Sequence, residues 1–102
     1  KSGKVITLDH ELEQIIMDNV KKTEHGSYLS LDHDIIQRIY DNLYREIEDY
    51  MELGMQPIVL TAPIVRIYFK RLTERSFPNL IVLSYNELDD TVEIQSTGTV
   101  RG

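Results

Sequence analysis

The chain has 102 residues, enough for one real hydrophobic core and too few for two. Its 41% hydrophobic and 27% charged content excludes a disordered tail. The absence of cysteine excludes a disulfide scaffold and any thiolate-ligated metal or cluster. A net charge of −6 argues against general affinity for nucleic acid or anionic membrane. No apolar run approaches the ~20 residues of a membrane-spanning helix, and no signal-peptide pattern opens the chain. It begins with Lys1 rather than methionine, so it is expected to be a piece of something longer.

Residues 4–8 (KVITL) form a short β-prone run, after which Asp9 stands where a helix cap belongs. A first helix is expected over about 10–23, with Leu12, Ile15, Ile16 and Val20 as its inward stripe. Glu11 and Glu13 in its first turn and Lys21 and Lys22 in its last would suit the helix dipole. The segment 25–27 (HGS) then acts as a connector.

A second helix follows over about 34–53, capped by Asp32 or Asp34 and stopped by Gly54. Its stripe is Ile35, Ile36, Ile39, Leu43, Ile47, Tyr50 and Met51. Residues 7–20 and 30–43 echo one another, matching at seven of fourteen positions, which reads as a shared helix-start grammar rather than a repeat.

Residues 57–61 (PIVLT) are a continuous apolar run of the kind that forms a strand covered on both faces. Pro63 suits the first turn of a third helix with Val65, Tyr68, Phe69 and Leu72 inward, closed by Pro78 and Asn79. Residues 80–84 (LIVLS) are a second such strand, completing a βαβ unit with parallel strands. After a turn at Asp89, Asp90 and Thr91, residues 92–96 alternate, which suggests an antiparallel edge strand. The expected fold is α/β: three helices on a small mixed sheet.

Four chemistries compete for this chain. His10, His25 and His33 lie among Asp9, Glu11, Asp32 and Asp34, but neighbours at a helix start do not converge as true i, i+4 ligand pairs do, so no metal is expected. Thr61, Arg66, Tyr85 and Glu87 could share a crevice beyond the strand ends, where α/β enzymes bind ligands. No nucleophile–base motif accompanies them. The junction 60–66 (LTAPIVR) has a strand meeting a helix N-terminus but no glycine, and Pro63 removes a donor, so it is no phosphate cradle and no cofactor is expected. The remaining feature is cationic. Residues 57–80 carry Arg66, Lys70, Arg71 and Arg75 against Glu74, a net +3, while the rest carries −9. These four basic residues are candidates for docking an acidic partner protein, the alternative being a solvated helix face.

The ordered runs 57–66 (PIVLTAPIVR), 72–80 (LTERSFPNL), 82–87 (VLSYNE) and 92–98 (VEIQSTG) resemble the C-terminal end of the FlhA, or FHIPEP, family. Residues 8–14 (LDHELEQ) are similar to a stretch just upstream there, with His10 where proline is frequent. The resemblance implies an export-gate protein of bacterial flagellar type III secretion, with an N-terminal membrane region absent here and a cytoplasmic region that assembles as a ring. That ring receives export substrates and their chaperones. This chain would be its last cytoplasmic subdomain, one wall of a cleft whose opening modulates docking, with no catalytic residue. Virulence-injectisome paralogues share the fold, and Asn86 leans toward the flagellar branch. No binding residue of the family maps onto a position here.

Overall fold

The computed structural model describes residues 2–87 and 93–100, with side chains placed for 5–86 and 100. Its elements are β1 (Ser2–Leu8), α1 (His10–Asp18), β2 (Val20–Thr23), β3 (Gly26–Leu29), α2 (His33–Glu52), β4 (Ile58–Thr61), α3 (Pro63–Thr73), β5 (Ile81–Ser84) and β6 (Glu93–Val100). Residues 85–87 form one turn of 3-10 helix after β5. The turn expected at Asp89–Thr91 lies outside the described residues.

The larger sheet has the order β5-β4-β1-β6. Ile6, Val59 and Val82 stand in register across it, and Leu8 pairs with Val100. These five side chains join Leu12 and Ile16 of α1, Ile39 and Leu43 of α2, and Val65 and Phe69 of α3 in one buried cluster. Alternation along the strands therefore puts the helices against a single face. Val5 and Leu60 point to the other face and are also buried. The expected α/β class, three helices and βαβ unit (β4-α3-β5, parallel) are all present.

One strand direction differs from expectation. β6 does lie at the sheet edge, but it runs parallel to β1 over its full length. A period of two reports that one face of a strand is covered; it carries nothing about direction, which depends on the end of the sheet where the chain arrives. The antiparallel pairing occurs instead in a separate hairpin, β2 with β3. A register shift between Val5 and Ile6 lets β6 gain one residue on β1, bringing Val100 level with Leu8. The Asp9 N–H then donates to the Val100 carbonyl at 2.9 Å, tying the start of α1 to the strand end.

The first helix is shorter than its pattern. α1 stops at Asp18, and Val20, Lys21 and Lys22 belong to the hairpin rather than to a last helical turn. Asn19 ends it: its side-chain amide donates to the Ile15 carbonyl at 2.7 Å, and its own carbonyl accepts from Ser30 N–H at 2.9 Å. The hairpin turns through Glu24 and His25 into Gly26, whose φ of +123° is open only to glycine at low cost. Asp9 and Asp32 occupy the expected N-cap positions, with extended backbones, but neither side chain makes a capping hydrogen bond.

α2 matches its pattern closely. Gly54 ends it at φ +70°, with Gly54 N–H donating to Met51 O at 3.0 Å and Met55 N–H to Tyr50 O at 3.0 Å, the paired bonds of a Schellman stop. Ile39, Leu43 and Tyr50 are buried, whereas Met51, expected inside, is exposed. Glu46 sits partly buried on the same helix. Burial chiefly, and Asp49 next, push its carboxyl above the ordinary 4.5, with Arg45 opposing. The folded chain therefore holds this proton more tightly than the unfolded one. That contribution is present below pH 4.5 and is lost as pH rises through the folded value. Glu46→Gln is expected to raise Tm at neutral pH and to have little effect near pH 4, as read by calorimetry.

Candidate docking surface

The strand-to-helix corner at Thr61–Arg66 does hold an anion, and the anion is the protein's own. Glu13, from the first turn of α1, is only 5% exposed, and its Oε2 accepts the Ala62 N–H at 2.6 Å. Ala62 is the N-cap residue of α3, followed by Pro63 in the first turn. A carboxylate at that end completes an orphan donor and faces the positive end of the helix dipole. From sequence, Glu13 was legible only as a first-turn acid of its own helix. Nothing in local spacing shows that it spans to residue 62.

Around this corner Thr61 and Ser84 are buried. The Thr61 hydroxyl donates to the Ala62 carbonyl at 3.0 Å, and the Ser84 hydroxyl donates to the Asn86 side-chain oxygen. Tyr85 is exposed on the 3-10 turn; burial of its phenol, and then the nearby Glu13 carboxylate, push its pKa up from 10.0. Glu87 closes that turn, and its side chain lies outside the described residues. Thr61, Tyr85 and Glu13 are thus neighbours at the strand ends, as topology requires, but Glu13 fills the place a substrate anion would take.

The four basic candidates divide. Arg66 and Lys70 are half-buried on α3, and Lys70 Nζ donates to the Leu80 carbonyl at 3.3 Å. Arg71 is exposed and reaches across to the hairpin, donating to the Ser27 carbonyl at 3.3 Å. Arg75 is exposed but lies beyond the helix, which ends at Thr73 rather than at Pro78. The early stop has a local cause: buried Thr73 donates its hydroxyl back to the Phe69 carbonyl at 2.9 Å, and its own carbonyl accepts from Phe77 N–H at 2.8 Å. The open face of α3 consists of Ile64, Ile67 and Arg71, spaced i, i+3 and i+7. It is apolar and cationic together, where the charges alone suggested a plain basic ridge.

Among the described residues no group of three or more His, Asp or Glu side chains could hold a metal ion, and no helix is long and apolar enough to cross a membrane.

The fold recurs in known proteins. The family model described as "FHIPEP family" matches residues 1–93. The chain belongs to the FHIPEP family. It is 47% identical over 97 residues to the flagellar biosynthesis protein FlhA of Bacillus subtilis, covering 95% of this chain and 14% of that protein. Among solved structures, the CdsV protein of Chlamydia pneumoniae superposes with a TM-score of 0.86 at 35% identity, over 97% of this chain and 28% of that one. The nonameric EscV cytosolic domain from the type III secretion system gives 0.68 at 29% identity, over 95% of this chain and 28% of that chain. CdsV has also been solved in complex with CdsO. This FHIPEP chain thus spans about one seventh of the length of its flagellar relative. The family is one of export-gate proteins, non-enzymatic components of protein transport.

Proposed function

We propose that this FHIPEP chain is the last cytoplasmic subdomain of a flagellar export gate, where it contributes non-enzymatically to docking and gating of export substrates and their chaperones. Its identity with the flagellar FlhA of Bacillus subtilis, 47% against 35% for CdsV and 29% for the EscV domain, is the observation that supports the flagellar reading over the injectisome one. By analogy with the nonameric relative, the longer protein assembles as a ring on the cytoplasmic side of the bacterial inner membrane, anchored through an N-terminal region outside this chain. Arg66, Lys70, Arg71 and Arg75 are the proposed docking charges. Arg71 and Arg75 are the exposed pair and carry most of the encounter with an acidic partner.

The charge reversal Arg71→Glu/Arg75→Glu tests this. Both side chains are at the surface, so circular dichroism and Tm are expected to stay near wild type. Affinity for an export chaperone–substrate complex should fall about tenfold, with a weaker salt dependence, and swarming should fall with it. Normal export by the folded double variant would remove these charges from the docking surface.

A further inference from the structure

Among the described residues the second half of α2 leaves one face unpartnered. Tyr40 anchors its upper end, donating its hydroxyl to the Leu72 carbonyl at 2.7 Å and meeting the Phe77 ring edge-on at 5.8 Å. Below it Tyr44, Ile47 and Met51 follow at helical spacing along a groove of about 660 Å³. Residues 54–57 and 76–80 complete its lining. Tyr44 is 59% exposed and Met51 67%, well beyond what a core stripe allows.

Volume alone would suit a small molecule. The shape favours a helix, because apolar anchors one turn apart along an open channel are how amphipathic helices are received. The thioether of Met51 adapts to whatever side chains arrive. Charge selects among helices. Among the described residues that line the groove, the two charged ones, Asp41 and Glu48, are both acidic. α2 as a whole carries six acidic residues and two arginines, a net −4. A second copy of this chain would bring its own −6 against that surface.

We propose that this groove docks an amphipathic α-helix of a partner protein whose apolar stripe is flanked by lysine or arginine. The stripe seats between Tyr44, Met51 and Phe77, and the basic flanks face Asp41 and Glu48. The site uses none of the four basic residues above, so it stands or falls independently of the export reading.

The probe is a fluorescein-labelled designed helix of about 18 residues with leucines one turn apart and lysines on both flanks. Its twin carries glutamate for lysine. By anisotropy the lysine peptide is expected to bind at least about tenfold tighter than the glutamate peptide. Tyr44→Ser/Met51→Ser should weaken it by about tenfold at unchanged Tm, both positions being exposed. Asp41→Lys/Glu48→Lys should invert the preference between the peptides. The control Glu11→Lys/Glu24→Lys makes the same charge change at exposed positions away from the groove and should leave that preference in place.

Equal loss in the control, or no effect of Tyr44→Ser/Met51→Ser, would reduce the binding to diffuse electrostatics and overturn the proposal. Equal binding of both peptides would overturn the basic occupant. A dimer in sedimentation that Tyr44→Ser/Met51→Ser abolishes would assign the groove to a second copy instead.

Discussion

Phe69→Ala is expected to lower the unfolding free energy by about 3–5 kcal/mol, the cost of removing a large aromatic ring from a core that cannot close over the gap. Phe69 is fully buried at the middle of α3, within the cluster that joins Ile6, Val59 and Val82 of the sheet to the other two helices. Domains of this size have about 5–15 kcal/mol in total, so the loss is a large share of what holds the chain together. Urea denaturation should show a lower midpoint with little change in slope, since the surface exposed on unfolding hardly alters. Ile67→Ala is the internal control. It removes a smaller, aliphatic group from the exposed face of the same helix and should stay within about 0.5 kcal/mol. If the two variants cost the same, α3 does not face the sheet as described.

Glu13→Ala comes next, at about 2–4 kcal/mol. The side chain is buried, accepts the Ala62 N–H and sits at the positive end of α3. Its loss therefore combines a charge-assisted hydrogen bond of about 1.5–3 kcal/mol with a dipole contribution of about 0.3–1 kcal/mol, and leaves a donor unsatisfied. Glu13→Gln keeps an acceptor and should recover roughly half of the loss. A second readout separates this role from simple packing. The Tyr85 phenol is held up by burial first and by Glu13 second, so Glu13→Gln should lower its titration midpoint in an ultraviolet pH titration without returning it to the ordinary value. An unmoved Tyr85 midpoint would place Glu13 outside the corner.

Both predictions depend on tertiary neighbours that the chain pattern only partly announces. The inward positions of the helices were legible: Leu12, Ile16, Ile39, Leu43, Val65 and Phe69 recur at helical spacing and are buried in one cluster. So were the two continuous apolar strands flanking α3, because a run such as IVLT at 58–61 has no polar face to give to water. The site was less legible. Arg66, Lys70, Arg71 and Arg75 can be counted from sequence, but whether each meets solvent depends on Leu80 and Ser27 carbonyls brought from elsewhere. Met51 reads as part of a core stripe; only the absence of a covering element among the described residues makes it, with Tyr44, a surface.

The echoed segments 7–20 and 30–43 mark the limit most sharply. Each carries Asp-Asn near its end, at Asp18 and Asn19 and again at Asp41 and Asn42. At the first pair the helix stops, because Asn19 caps the Ile15 carbonyl and the chain beyond it pairs as a hairpin with Ser30 held against Asn19. At the second pair the helix continues for ten more residues, with Arg45 donating to Asn42 from one turn on. Short-range order, set by spacing, turn residues and burial preference, determined the α/β class, the helix faces and the family. Strand direction, the reach of Glu13 to α3, and the fate of two like Asp-Asn pairs were decided by the tertiary structure, since each depends on which distant backbone group stands within hydrogen-bond range.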